Sequence, residues 1–89
     1  MYYVYIVRCS DNSLYTGIAK DPVKRVNEHN NNNRLAAAYT RSRRPVELVY
    51  QESCNSRSSA GKRENEIKKM GKLEKEALLR NSRYSLKCN

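Results

Sequence analysis

Seven tyrosines but no phenylalanine and no tryptophan occur among 89 residues, so every large aromatic ring in the chain carries a hydroxyl able to donate or accept a hydrogen bond. Four of them crowd the start, at Tyr2, Tyr3, Tyr5 and Tyr15. Arg25 follows ten residues after Tyr15, and His29 four residues after that. On a helix turning about 100° per residue those two side chains lie within about 40° of one another and project together. Hydroxyls, a guanidinium and an imidazole held at one place could bind an anionic group and move a proton. Each also has a plain alternative: the tyrosines as core, Arg25 as a solvated helix charge, His29 as an ordinary surface residue on a helix flank.

The elements that would have to position these groups are legible. Residues 2–9, "YYVYIVRC", put Tyr3, Tyr5 and Val7 on one face and Val4 and Ile6 on the other, a strand covered on both sides. "CSDNS" supplies turn chemistry, and "LYTGIA" is the returning strand of a hairpin. Tyr5 and Tyr15 share a face only if the loop holds an odd number of residues or a bulge. Asp21 caps the next helix, with Pro22 at its first position and Val23 and Val26 on its core stripe. "NNNNR" is a polar break, expected as a mobile loop, and the basic cluster "TRSRRP" follows. "VELVYQ" is a third strand with Val46, Leu48 and Tyr50 alternating against Glu47, Val49 and Gln51. A helix from Asn55 or Ser56 includes Gly61, at a cost of about 1 kcal/mol relative to Ala, and Gly71 is expected to end it. "KLEKEALL" forms a last helix packed by Leu73, Ala77 and Leu78. The fold class is α+β, a three-stranded antiparallel sheet flanked by helices in the order strand-strand-helix-strand-helix-helix. Residues 1–80 make one domain and 81–89 a flexible tail.

Eighteen Lys and Arg against nine Asp and Glu give +9, and a polyanion is the natural partner. Nucleic acid, with DNA first, fits better than a membrane, because no amphipathic basic helix or long apolar run is present. Cys9, Cys54 and Cys88 form neither an even disulfide set nor a metal-ligand spacing. Reduced thiols, no disulfide-linked partner, no signal peptide and a cytoplasmic location are the expectation.

Taken together, "YVY" at 3–5, "YTG" at 15–17, Arg25, His29 and Glu64 in "KRENEIKKM" resemble the GIY-YIG nuclease superfamily, specifically its small single-domain branch, over residues 2–80. The resemblance implies a metal-dependent endonuclease in which Tyr5 or Tyr15 orients or deprotonates water and Arg25 stabilises transition-state charge. It implies that Glu64 binds Mg²⁺ or Mn²⁺ and that His29 contributes hydrogen bonding or proton transfer. The tyrosine pKa near 10 is then an obstacle, to be lowered by metal and arginine or bypassed by a metal-bound hydroxide. Gly17 lets backbone or phosphate approach closely, and Lys24, Tyr39, Arg41, Arg43 and Arg44 would complete the nucleic-acid surface. Glu66 competes with Glu64 for the metal role, and Glu64 could instead pair with Lys68 four residues on.

The chain departs from the family pattern at Tyr3, where many members have Gly, and at Ile18 and Ala38, where Lys is expected. Gly61 and Asn65 replace larger residues, and Asn81 is the nearest counterpart of a distal asparagine. Without a second domain for target choice, binding should be weak in sequence preference and steeply salt-dependent. DNA repair, recombination or processing would be the setting. The altered loop keeps a second expectation open, a nucleic-acid-binding module on the same fold with little or no turnover.

Overall fold

A computed structural model describes residues 1–81. Residues 82–89 lie outside the described residues; Cys88 and the tail expected over 81–89 fall there, except Asn81, which ends a helix. The elements are β1 (Tyr2–Arg8), β2 (Leu14–Ala19), α1 (Pro22–Asn31), α2 (Ala38–Arg41), β3 (Glu47–Cys54), α3 (Arg57–Lys68) and α4 (Lys72–Asn81). The sheet is antiparallel throughout in the order β2-β1-β3. This is the α+β arrangement expected from the sequence, with one additional short helix, α2.

β1 is central, which explains why it is apolar on both faces. On one face Val4 and Ile6 meet Leu14, Tyr50, Ala60 and Ile67, the last two from α3. On the other, Tyr5 and Val7 meet Cys9 and Val46, with Tyr15, Ala19, Val26 and Leu48 packed alongside. Full burial of residues such as Ile6 and Ile67 contributes about 1.5–3 kcal/mol each. The hairpin turn spans residues 9–13, closed by Cys9 N–H donating to the Ser13 carbonyl at 2.8 Å, with Asn12 at φ 69°. Its odd length pairs Val7 with Tyr15 and Tyr5 with Gly17. Both tyrosines therefore point to the α1 side.

Several local expectations change for identifiable reasons. Between Ile6 and Val7 the register against β3 shifts, Ile6 facing Tyr50 and Val7 facing Leu48. Val49 is the inserted residue of a bulge, so Tyr50 joins the α3-side core while Val46 and Leu48 stay on the other; the three do not share a face. In α1 the buried side chains are Pro22 and His29, with Val26 packed beside them, whereas Val23 is 69% exposed. His29 occupies the core stripe and not its flank. In α4, Leu73 is 85% exposed and Leu78 and Leu79 make the packing contacts. Gly71 does not end α3, which closes at Lys68. Its N–H instead donates to Glu74 at the start of α4, half of a capping box. The same helix is tied to the sheet by Arg8, whose guanidinium makes two bonds of 2.8 and 2.9 Å to Glu76.

The asparagine run is structure rather than a mobile loop. α1 continues through Asn31, and Asn32 folds its side chain onto the amides of Arg34 and Leu35. Asn30 acts as a strand partner for β3: its Nδ2 donates to the Val46 carbonyl at 3.0 Å and its Oδ1 accepts the Val46 amide at 2.8 Å. An amide side chain matches the donor–acceptor pair of a backbone unit, which is why Asn suits these positions. Among the described residues no helix is long and apolar enough to cross a membrane.

Removing that amide leaves a buried backbone pair unsatisfied. Asn30→Ala should lower unfolding free energy by about 1–3 kcal/mol in urea titrations, while Asn31→Ala, whose amide bonds only the exposed Asn27, should stay within about 0.5 kcal/mol of wild type.

Candidate active site

Tyr5 is the centre of the site and is only 1% exposed. Its ring lies against Gly17 on the neighbouring strand: a β-carbon there would stand 2.6 Å from Tyr5 Oη and 2.7 Å from Cζ. The close approach that Gly17 permits is thus that of the tyrosine ring. Oη meets His29 Nε2 at 2.9 Å, and the other ring nitrogen, Nδ1, meets Thr40 Oγ1 at 2.8 Å. His29 and Thr40 are both fully buried. α2 exists in this fold as the support that brings Thr40 under the imidazole.

Tyr15 sits half-buried beside this pair. Its ring meets His29 edge-on at 5.6 Å between centroids and stacks on Tyr39 at 5.7 Å, while the Arg43 guanidinium lies 3.9 Å from the Tyr39 ring centre. Arg25, one turn before His29 on α1, donates from Nη1 to Glu28 at 3.0 Å and to the Leu35 carbonyl at 2.7 Å. Glu64 comes from α3, which packs on the other face of the sheet, and forms an ion pair of 3.1 Å with Lys68. Its negative charge still acts on the Tyr5 hydroxyl. Glu66 faces outward, paired with Arg63.

The remaining basic residues divide. Arg44 donates to the His29 carbonyl at 2.6 Å and to Asn33 at 2.9 Å, so it braces the carboxyl end of α1. Arg43 is bonded to Asp11 and the Tyr39 carbonyl, and Arg41 to the Asn33 carbonyl. Lys24 is exposed in the first turn of α1. A cavity of about 340 Å³, lined by residues including Asn12, Ser13, Tyr39, Lys72 and Lys75, adjoins the site through Tyr39 alone; it does not lie over Tyr5.

Burial controls the acid–base character. Tyr5 is pushed up to about 12, first by desolvation and next by Tyr15, and the Arg25 guanidinium only partly offsets this. Arg25 acts in the expected direction, but by itself it leaves the hydroxyl above its ordinary value. His29 is pushed down to about 4, chiefly by burial and then by Arg25, so the imidazole is neutral at physiological pH. Among the described residues no three His, Cys, Asp or Glu side chains gather as a metal cage. Glu64 by itself fits a hard cation such as Mg²⁺, which keeps most of its waters and accepts substrate oxygens as ligands. From the sequence, Thr40 only matched, with Tyr39, the end of the family's loop motif and had no role; its burial under His29 depends on α2.

Comparison with known proteins adds an independent line. Residues 1–77 match the GIY-YIG catalytic domain. The chain is 49% identical over 81 residues to a UPF0213 protein of Desulfotalea psychrophila, spanning 91% of this chain and 73% of that one. It is 53% identical over 78 residues to a UPF0213 protein of Staphylococcus saprophyticus, spanning 88% and 93%. The fold is similar to the solution NMR structure of a UPF0213 protein from Bacillus halodurans, with a TM-score of 0.59 at 36% identity over 92% of this chain and 86% of that one.

Two outcomes follow from this geometry. An added methyl at Gly17 must displace the Tyr5 ring, so Gly17→Ala should cost about 1–3 kcal/mol and shift the ring resonances of His29, the chain's single histidine. In NMR titrations His29 should stay neutral until about pH 4. The unfolded chain takes up that proton near 6.5, so stability should fall as pH drops from 6.5 towards 4.

Proposed function

The chain belongs to the GIY-YIG family and carries its nuclease fold, and from that premise we propose that it is a divalent-metal-dependent endonuclease hydrolysing phosphodiester bonds in DNA with little sequence preference. The observation that carries this reading is the arrangement around one hydroxyl: Tyr5 is bonded to His29 and packs on Gly17, with Arg25 one turn before His29 on the same helix. A phosphodiester is an anion whose negative charge grows as water attacks phosphorus and the oxygen on the far side departs. Such a transition state needs preorganised donors and cations more than a reactive side chain.

In this mechanism the backbone phosphate enters beside Tyr5 and Tyr15. Arg25 has one nitrogen fixed on Glu28 and the Leu35 carbonyl, which aims the rest of its fork, and it stabilises the oxygens of the pentavalent phosphorus. The two tyrosine hydroxyls hold the attacking water and the phosphate in line. His29 is neutral and enclosed, so it orients Tyr5 by hydrogen bonding. Glu64 would hold the Mg²⁺ or Mn²⁺, with Lys68 giving way as its partner, and would thereby place at the phosphate a Lewis acid able to neutralise its charge and lower the pKa of water. Tyr39, with Arg43 above its ring, would pack against the adjoining nucleotide, and exposed Lys24 and Arg41 would meet flanking phosphates. DNA repair, recombination or processing is the setting such a cut would serve.

The net charge of +9 favours sequence-independent phosphate binding, which should weaken steeply with salt. Purified protein incubated with single-stranded, nicked and branched DNA should cleave in Mg²⁺ or Mn²⁺ and not in EDTA. Arg25→Ala should lose about 10²–10³-fold in rate, and Glu64→Ala should abolish metal-dependent cutting while retaining binding. Tight binding by wild type with no cleavage in any metal would replace this reading with that of a binding module, and equal cutting by Glu64→Ala would reject it.

A further inference from the structure

In the His29 pocket one donor has a proton direction fixed by the backbone: the Ala37 amide, which points at His29 Nδ1 from 3.4 Å. A ring nitrogen facing an N–H presents its lone pair, so Nδ1 is the unprotonated nitrogen. Thr40 agrees with this. Its oxygen is 2.8 Å from Nδ1 and 3.0 Å from the Ala37 carbonyl, and it has a single proton to give. The Ala37 carbonyl also accepts the Arg41 amide at 3.0 Å; with Nδ1 bare towards the Ala37 N–H, the Thr40 proton goes to Nδ1 at 2.8 Å in preference to the longer contact with that carbonyl. The opposite assignment would set a protonated Nδ1 against the Ala37 N–H, proton to proton.

A neutral imidazole has one proton, and Nε2 must therefore carry it. The 2.9 Å bond then runs from Nε2–H to Tyr5 Oη, with the tyrosine oxygen as acceptor. Tyr5's own proton has to point elsewhere. Burial keeps the ring neutral and the Tyr5 hydroxyl protonated, in line with this count, and Arg25 beside that hydroxyl is likewise a donor only.

We propose that Thr40 is a positioning residue that, with the Ala37 amide, holds His29 as its Nε2–H tautomer and so turns the Tyr5 hydroxyl into a hydrogen-bond donor to a phosphate oxygen, not the base that deprotonates water. The Tyr5 part rests on the nuclease reading; the tautomer does not. Of the two leading tyrosines, this leaves Tyr15 as the one free to act on the attacking water.

The test uses the full chain labelled with ¹⁵N, in which the single histidine makes assignment unambiguous. Long-range ¹H–¹⁵N correlations at pH 7 should show Nε2 protonated and Nδ1 bare; a protonated Nδ1 overturns the proposal. Thr40→Ser should keep the wild-type pattern, and Thr40→Val should move the two nitrogen shifts towards a mixture of tautomers. An unchanged pattern in folded Thr40→Val removes Thr40 from the proposal, and if that variant does not fold, loss of the pattern in Thr40→Ser does the same. For Tyr5, a fluorescent nicked duplex in EDTA is the probe. Tyr5→Phe should bind it about tenfold more weakly, and unchanged affinity contradicts a donor role. If wild type binds no DNA, the nuclease reading and the Tyr5 donor role fall together, while the spectra still decide the Thr40 arrangement.

Discussion

Tyr5 fits in the site because the residue facing it across the hairpin has no β-carbon. With Gly17 at that position the phenol packs against the neighbouring strand, its hydroxyl 2.9 Å from His29 and the residue as a whole only 1% exposed. Any larger residue would push the ring away from the imidazole, and the hydroxyl would lose the bond that fixes it. The dryness this packing creates also sets the chemistry. Desolvation raises the tyrosine and lowers the histidine, so both are neutral and oriented, and charge is left to Arg25 and to whatever Glu64 holds.

The topology explains how groups from opposite sides of a sheet act on one hydroxyl. β2 is an edge strand. α1 covers the Tyr5 face and brings Arg25 and His29, and α3 covers the opposite face and brings Glu64. With only one strand between β1 and the sheet edge on that side, the Glu64 charge still reaches the Tyr5 hydroxyl. A wider sheet would separate them. The paired bonds between Asn30 and Val46 hold the end of α1, which carries Arg25 and His29, against the sheet.

Much of this was legible in the sequence because local rules decide it. The five residues between Arg8 and Leu14 put Tyr5 and Tyr15 on one face, and Asp21 and Pro22 started α1 where capping chemistry places a start. What stayed hidden depends on contacts distant in the chain. The bulge at Val49 is a register choice made against β1, invisible in the alternation of β3 alone. Val23 and Leu73 carry the right hydrophobicity for a core stripe, but the helices turn Pro22, His29, Leu78 and Leu79 inward instead. The asparagine run lacks any apolar signal because its role is to substitute for backbone partners, and Thr40 is an unremarkable hydroxyl until α2 sets it beneath His29.

A crystal structure of the Glu64→Ala protein with a nicked DNA duplex would examine the central claim most directly. Expected is one backbone phosphate within hydrogen-bonding distance of both the Arg25 guanidinium and the Tyr5 hydroxyl, with Tyr15 at its side. DNA seated with its phosphates on the outer surfaces of α3 and α4, and nothing against Tyr5 or Arg25, would contradict it.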